Sequence, residues 1–360
     1  MLNLNFYKNK RVFITGHNGF KGSWLCRILL NAGADICGYS LPVEDKENLF
    51  ELAEIKKHII DVNADIRDYD FLQKTFNNFK PEIVFHLAAQ PIVRESYVNP
   101  RYTYETNVMG TVNILECTKN NENVRSLLNI TTDKVYKNKE WIWGYRENEE
   151  LNGFDPYSNS KSCSELVTDC YKNSFFYNKN VAISTARAGN VIGGGDFAKD
   201  RIIPDCIRAQ LKKEKIVVRN PESIRPYQHV LEADFAYLMI AEKQYTDINY
   251  ANSYNVGPAD ENCVSTGVLA SLFCKHWGNK ADWKVERENN APHEANYLRL
   301  DCSKLKRTFG WHPFWSIDEA VKRTCEWSKV WLSHGDIRHE MDIEIVDYYE
   351  RLTIKSQDIN

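Results

Sequence analysis

The first half of the chain alternates short, almost continuously apolar runs with stretches in which apolar residues recur at helical spacing. Arg11-Val-Phe-Ile-Thr15 is a β-type run that ends in glycines, and Phe20 to Ala32 places Trp24, Leu25, Ile28 and Leu29 on one helical stripe. Asp35 to Tyr39, His58 to Val62, Glu82 to Ala88 and Val124 to Thr131 read as further strands. The run Glu82 to Ala88 is apolar nearly throughout, as a parallel strand covered on both faces must be. Helices are predicted over Phe71 to Phe79, closed by Pro81, over about Tyr102 to Lys119, and over Tyr157 to Phe176, with a strand at Val181 to Thr185. Strand–helix alternation of this kind predicts an α/β fold built on a doubly wound parallel sheet. Ligands in such a sheet bind outside the carboxyl ends of the strands, near the switch in strand order.

After the break at Gly193-Gly-Gly195 the pattern changes to short elements separated by polar loops, at Pro204 to Leu211, Ile216 to Arg219 and Asn255 to Pro258. The division predicted is a dinucleotide-binding unit of residues 1–186 plus about 226–254, and a smaller mixed substrate lobe of about 187–225 and 255–360. No internal repeat, low-complexity tract or linker interrupts the chain.

Composition narrows the function classes. The 360 residues are 43% apolar and 26% charged, an ordinary globular mix. The 46 basic and 49 acidic residues nearly cancel, to −3, which argues against a nucleic-acid partner. No apolar run reaches the roughly 18 residues of a membrane span, and the segment Met1 to Lys10 has no signal-peptide core, so a cytoplasmic protein without a membrane partner is expected. The ten cysteines form no C-x-x-C pair and no zinc spacing; Cys26, Cys117 and Cys170 fall within apolar helical patterns and read as small buried hydrophobes. No metal is expected. His58, His276, His312, His334 and His339 show no paired spacing and read as structural or exposed.

Candidate chemistry begins at Gly16-His-Asn-Gly19-Phe-Lys-Gly22, between the first strand and the first helix. Glycines there let the backbone approach a pyrophosphate, whose charge the helix N-terminal N–H groups hold. His17, Phe20 and Lys21 belong to the same cofactor turn, and a P-loop does not fit because Lys21 precedes Gly22. The second strand ends Gly38-Tyr39-Ser40-Leu41 and lacks the acid that usually reads the ribose 2′-hydroxyl. Ser40 suits a hydroxyl or a phosphate, and Lys21 and His17 add positive character, so NAD and NADP both stay open. Asp65 and Ile66, after the third strand, are placed to contact adenine.

Tyr157-Ser-Asn-Ser-Lys161 opens a helix with phenol and ammonium four residues apart, hence on one face. A lysine beside a phenol favours the phenolate, so that the tyrosine can act as a base. Thr132, a hydroxyl residue at a strand end, lies between the glycine turn and this pair in sequence.

Taken in order, Gly16/Gly19/Gly22, His86-Leu-Ala-Ala89, Asn107, Thr131-Thr132 and Tyr157/Lys161 resemble the extended short-chain dehydrogenase/reductase family over nearly the whole chain. The resemblance implies that Thr132 positions a substrate hydroxyl for Tyr157, that Asn107 is a structural or relay residue, and that Leu87, Ala88 and Ala89 pass the nicotinamide half of the cofactor. Asp133-Lys134 after Thr132 is similar to the acid–base pair of the nucleotide-sugar 4,6-dehydratases and looks like their CDP-glucose branch. So do Gly19-Phe-Lys-Gly-Ser-Trp24, Ala88-Ala-Gln-Pro91 with Arg94 and Tyr97, Trp143-Gly-Tyr-Arg-Glu147, Asp155-Pro-Tyr-Ser158 and Arg225-Pro-Tyr-Gln-His-Val230.

The implied reaction is redox-neutral: oxidation at sugar C4, loss of water across C5–C6, and return of the hydride to C6. Asp133 is the candidate acid at C6 and Lys134, if neutral, the candidate base at C5; which of the two takes which role stays open. The family context implies deoxysugars for surface polysaccharide and a homodimer or higher homo-oligomer formed by the helices Tyr102–Lys119 and Tyr157–Phe176. The substrate implied is a nucleotide sugar. Gln90, Arg94, Asn190, Arg201, Arg219, Arg225 and His293 are its candidate contacts, with Asn190 and Arg225 toward the diphosphate and Arg201-Ile-Ile-Pro204 along the base. Arg187 leaves the same strand as Asn190, and Trp141 and Trp143 are placed to cap the site. The competing readings are a 4,6-dehydratase or 4-epimerase for UDP- or dTDP-glucose, and a non-catalytic dinucleotide-binding regulator. An epimerase needs no acid at C6, and a regulator has no use for Thr132, Tyr157 and Lys161 together.

Overall fold

The computed structural model describes residues 2–43, 47–287 and 295–357. Seven parallel strands, β1 (Arg11–Thr15), β2 (Asp35–Ser40), β3 (Ile60–Asn63), β4 (Ile83–His86), β5 (Ser126–Thr132), β6 (Ala182–Ala188) and β7 (Ser253–Val256), pair in the order 3-2-1-4-5-6-7. The order reverses between β1 and β4, the switch point at which a doubly wound sheet opens a crevice.

Alternation along the strands supplies both faces of the sheet. Val12, Ile14, Ile83, Phe85, Leu128 and Ile130 face one core, whereas Phe13, Val84 and Leu127 face the other. The helices that bear on the site are α1 (Phe20–Asn31), α2 (Tyr69–Phe79), α3 (Gly110–Lys119), α4 (Pro156–Tyr171), α5 (Ile202–Leu211), α6 (Val230–Thr246), α7 (Thr266–Trp277), α8 (Ile317–Leu332) and α9 (Ile337–Gln357). α1 and α6 cover the first face and α2 and α3 the second. A third cluster joins α5, α7 and α8 around Ile203, Phe273 and Val321.

Four local expectations are redrawn. The third strand begins at Ile60 because Ile55–His58 closes a 3-10 turn instead of extending. The helix expected from Tyr102 is interrupted by a π-helical turn at Glu105–Met109 ahead of α3. Asn255 lies in β7, hydrogen-bonded in parallel to β6, so this piece of the expected lobe extends the main sheet. α9 likewise lays Met341, Ile345, Tyr348 and Leu352 into the core that α1 and α6 share. Cys26 and Cys117 are buried as expected; Cys170, on the outer side of α4, is exposed. Among the described residues no helix is long and apolar enough to cross a membrane, and no cluster of His, Cys, Asp and Glu could hold a metal ion.

Candidate active site

A cavity of about 1010 Å³ runs along the carboxyl ends of the strands, from the glycine turn to α5. That reaches the upper end of the range for one drug-sized ligand, roughly 300–1,000 Å³, and leaves room for a cofactor and a substrate end to end.

At one end the backbone has been brought as close as sterics allow. Gly16 sits at φ +72°, and a Cβ there would lie 2.8 Å from the Ala88 nitrogen and 2.9 Å from the Leu87 carbonyl carbon. A Cβ on Gly22 would lie 2.2 Å from the Gly16 oxygen. Gly19 caps α1 with no side-chain acceptor, and Gly19, Phe20, Lys21 and Gly22 all line the cavity, so the first N–H groups of a twelve-residue helix face it. That cradle fits the diphosphate of a dinucleotide. Ser40, Asp65, Ile66, Leu87, Ala88 and Ala89 complete this half. The Asp65 carboxylate is engaged by the Arg67 backbone N–H and guanidinium, which hold it below the usual carboxylate range.

Three residues expected to touch the cofactor or substrate are turned elsewhere. The His17 ring is fully buried beneath β2, where Gly38 leaves it space, and its Nε2 lies 2.8 Å from Asp61 Oδ1, so it is turned to Asp61 and does not line the cavity. Asn107 is wholly occupied: its Oδ1 accepts from the Gln90 N–H at 2.8 Å, while its amide donates to the Gln90 carbonyl and the Ser160 hydroxyl. It therefore acts on the cavity wall only by holding the Gln90 backbone. The Gln90 amide donates to the Ile92 carbonyl and Thr103 and its oxygen accepts from the Ile92 N–H, so this side chain braces a turn and does not line the cavity.

Midway along the cavity, β5 ends in Thr132-Asp133-Lys134. Lys134 Nζ donates to Asp133 Oδ1 at 3.2 Å and to Asn190 Oδ1 at 3.1 Å. Asp133 is fully buried behind the cavity wall that Thr132 and Lys134 line, and its Oδ2 has no hydrogen-bond partner among the described residues. The Thr132 hydroxyl donates to Asp133 Oδ1 at 3.0 Å, and Thr132 and Tyr157 line the same stretch of the cavity. Asp155 caps α4 by accepting from the Ser158 N–H at 2.9 Å, and this cap sets Tyr157 in the first turn, facing the cavity.

The expected lowering of the phenol by Lys161 is not what dominates. Burial pushes Tyr157 up to about 12, Thr132 pulls it back, and the Lys161 ammonium is anchored on the Ile130 carbonyl at 3.0 Å. Burial, and then the charge of Lys21, bring Lys161 down to about 8. Lys21 itself is brought to about 8 by burial against the pull of Asp234, and its Nζ lies 3.4 Å from the Tyr237 hydroxyl. Asp234 and Tyr237 lie on α6, outside every motif of the sequence; the signal for them is acidic side chains inside an otherwise apolar helix, where they must be buried.

Toward α5 the cavity is lined by Arg94, Asn190, Arg201, Arg219 and Arg225, together with Ile202, Ile203 and Pro204. Arg201 donates to Asp196 at 2.9 Å, Arg94 and Arg219 share Asp200, and Arg225 donates to the carbonyls of Ile224 and Ala295. Arg187 is not among them: it is buried and paired with Glu165 at 2.8 Å and with the Tyr136 hydroxyl at 2.9 Å, as part of the scaffold under β5 and β6. Trp141 packs on Tyr145 and Trp143 stands exposed, so neither caps the cavity. His293 lies outside the described residues.

A family model described as GDP-mannose 4,6 dehydratase matches residues 13–324. A CDP-glucose 4,6-dehydratase of Salmonella typhimurium is 46% identical over 359 residues, 98% of this chain and 100% of that protein. Among solved structures, a dTDP-glucose 4,6-dehydratase from Streptomyces venezuelae with NAD and TYD bound superposes with a TM-score of 0.79 at 22% identity, over 91% of this chain and 99% of the other. The UDP-glucose 4-epimerase of Thermotoga maritima does so with a TM-score of 0.78 at 21% identity, over 89% and 99%. At these identities the two structures speak to the fold, which is shared.

Proposed function

The chain belongs to the nucleotide-sugar dehydratase family that the GDP-mannose 4,6 dehydratase model describes, and from that premise we propose that it converts CDP-glucose to CDP-4-dehydro-6-deoxyglucose. The observation that carries this reading is the ion pair Asp133–Lys134 at the end of β5, beside Thr132 and Tyr157. Leu87, Ala88 and Ala89 would hold the nicotinamide half of the cofactor, which would supply reversible hydride transfer there.

The chain's own groups handle the protons. The Tyr157 phenolate receives the proton of the C4 hydroxyl, oriented by Thr132, and becomes the phenol; the Lys161 ammonium on the same helix favours the phenolate before that transfer. Loss of water needs one proton taken from C5 and one given to the C6 hydroxyl. Lys134, on the cavity face, takes the first; Asp133 delivers the second. The reactive form of the pair has the proton on Asp133 and a neutral Lys134, reached by transfer along their 3.2 Å hydrogen bond, and one turnover restores the ion pair.

NAD fits better than NADP. A 2′-phosphate at Ser40 wants an available cation, and His17 is withdrawn to Asp61, Arg67 is tied to Asp65 and Glu105, and Lys21 lies among Asp234, Arg201, Asp133 and Lys134. Arg94, Asn190, Arg201, Arg219 and Arg225 bind the substrate diphosphate and its surroundings. The exposed Met109 and Leu166, on the outer sides of the Glu105–Lys119 stretch and α4, support a homodimer, and ten free thiols suit a reducing cytoplasm that supplies deoxysugar precursors for surface polysaccharide.

The test is incubation with NAD and CDP-, UDP- or dTDP-glucose, followed by detection of a 4-keto-6-deoxy product. Turnover of CDP-glucose above the others is expected. Turnover of another donor without CDP-glucose refutes the base assignment, and no elimination with any of them refutes the dehydratase reading.

A further inference from the structure

The sugar must meet Thr132 and Tyr157, and the arginines beyond them take the diphosphate. The nucleobase therefore comes to rest farther along, on the apolar wall formed by Ile202, Ile203, Pro204 and Val217. Three carboxylates line this half among the described residues beyond Asp155: Asp196, Asp200 and Asp205. Two of them are committed. Asp196 accepts from Arg201 at 2.9 Å and from the Ala198 N–H at 3.2 Å, and Asp200 is held between Arg219 at 3.1 Å and Arg94 at 3.7 Å. Asp205 differs. It follows Pro204 in the first turn of α5, its side chain is 35% exposed, and its partner is Arg208, one turn along the same helix, so one carboxylate oxygen is left to the cavity.

We propose that Asp205 is the residue that reads the exocyclic group of the base. Cytosine presents an amino group there, which donates to a carboxylate, whereas uracil and thymine present a carbonyl oxygen, which a carboxylate repels. Discrimination then comes as much from an unfavourable contact with the wrong base as from a favourable one with the right base. The inference rests on the CDP-glucose reading above and adds the residue that would enforce it.

Asp205→Asn separates the possibilities, because an amide accepts from an amino group and donates to a carbonyl. The backbone contacts of α5 are unchanged, and the cost to the fold is the surface pair with Arg208. Binding of CDP and of UDP is measured by calorimetry on wild type and variant, alongside kcat/KM for CDP-glucose and UDP-glucose. The ratio favouring cytidine is expected to fall by about tenfold or more in Asp205→Asn, with CDP weakened and UDP strengthened, and Asp205→Ala should weaken CDP and, by removing the repulsion, improve UDP less than Asp205→Asn does. A wild type that prefers CDP-glucose and a variant that keeps the same ratio would overturn the role of Asp205 and leave the proposed function standing. A wild type without preference for cytidine overturns both.

Discussion

His86 closes β4 immediately before the Leu87–Ala89 wall, and its state can be tested by pH. The ring is buried; Nδ1 lies 2.7 Å from the Thr15 hydroxyl and Nε2 3.1 Å from the Thr111 hydroxyl, with no carboxylate beside it. Burial, and then the charge of Lys161, bring it down to about 3 from its ordinary value near 6.5. A histidine lowered in this way binds its proton more readily in the unfolded chain, so its stabilising contribution is complete above about pH 6.5 and is lost as pH falls toward 3. Linkage over that shift gives about 2 kcal/mol lost at about pH 5 and under about 0.1 kcal/mol at about pH 7.5. His86→Asn removes the titration while other acid-sensitive groups remain in both proteins. Urea unfolding at the two pH values should therefore show wild type losing about 2 kcal/mol more than the variant. Parallel losses, or a His86 ring resonance that titrates near 6 in the native protein, would refute the reasoning.

Other perturbations address the scaffold and the chemistry. Gly16→Ala must place a methyl against the Ala88 nitrogen at positive φ, and should cost about 1 kcal/mol or more in thermal stability and abolish measurable NAD binding; unchanged binding would show that the turn is not the diphosphate cradle. Glu165→Ala leaves Arg187 charged, buried and without its carboxylate, and should destabilise by about 3–5 kcal/mol in urea; a loss under about 1 kcal/mol would mean that Tyr136 and the Glu147 carbonyl suffice. Asp133→Asn should still accumulate reduced nicotinamide from C4 oxidation yet form no 4-keto-6-deoxy product. Normal dehydration by that variant would place the acid elsewhere.

Much of this was visible in the residues themselves, and the parts that were not share a cause. β1, α1 and β5 announce themselves through alternation, glycine spacing and apolar runs, which are local properties. That Thr132, Lys134, Tyr157 and Lys161 line one cavity follows from strand ends and an i, i+4 spacing, again local, whereas the full burial of Asp133 beside them does not. What escaped depends on partners far away in the chain. His17 looks like a loop cation until Gly38 and Asp61 are placed beside it, and Arg187 looks like a phosphate ligand until Glu165 is opposite. Asn107 and Gln90 satisfy one another 17 residues apart, so neither needs a ligand. The Tyr157–Lys161 spacing puts two groups on one face but does not reveal that the Ile130 carbonyl holds the ammonium or that burial outweighs charge. Asn255 has too short an apolar context to declare its place beside β6.

In the proposed reaction one cavity removes a hydride from C4 of a hexose, expels water, and restores the same hydride at C6. CDP-glucose carrying deuterium at C4 tests it most directly, with product analysed by mass spectrometry and NMR in the presence of excess unlabelled NAD. One deuterium is expected in the C6 methyl of the 4-keto product and none in the cofactor pool. Deuterium in free reduced cofactor, or retained at C4 of an unoxidised sugar, would contradict it.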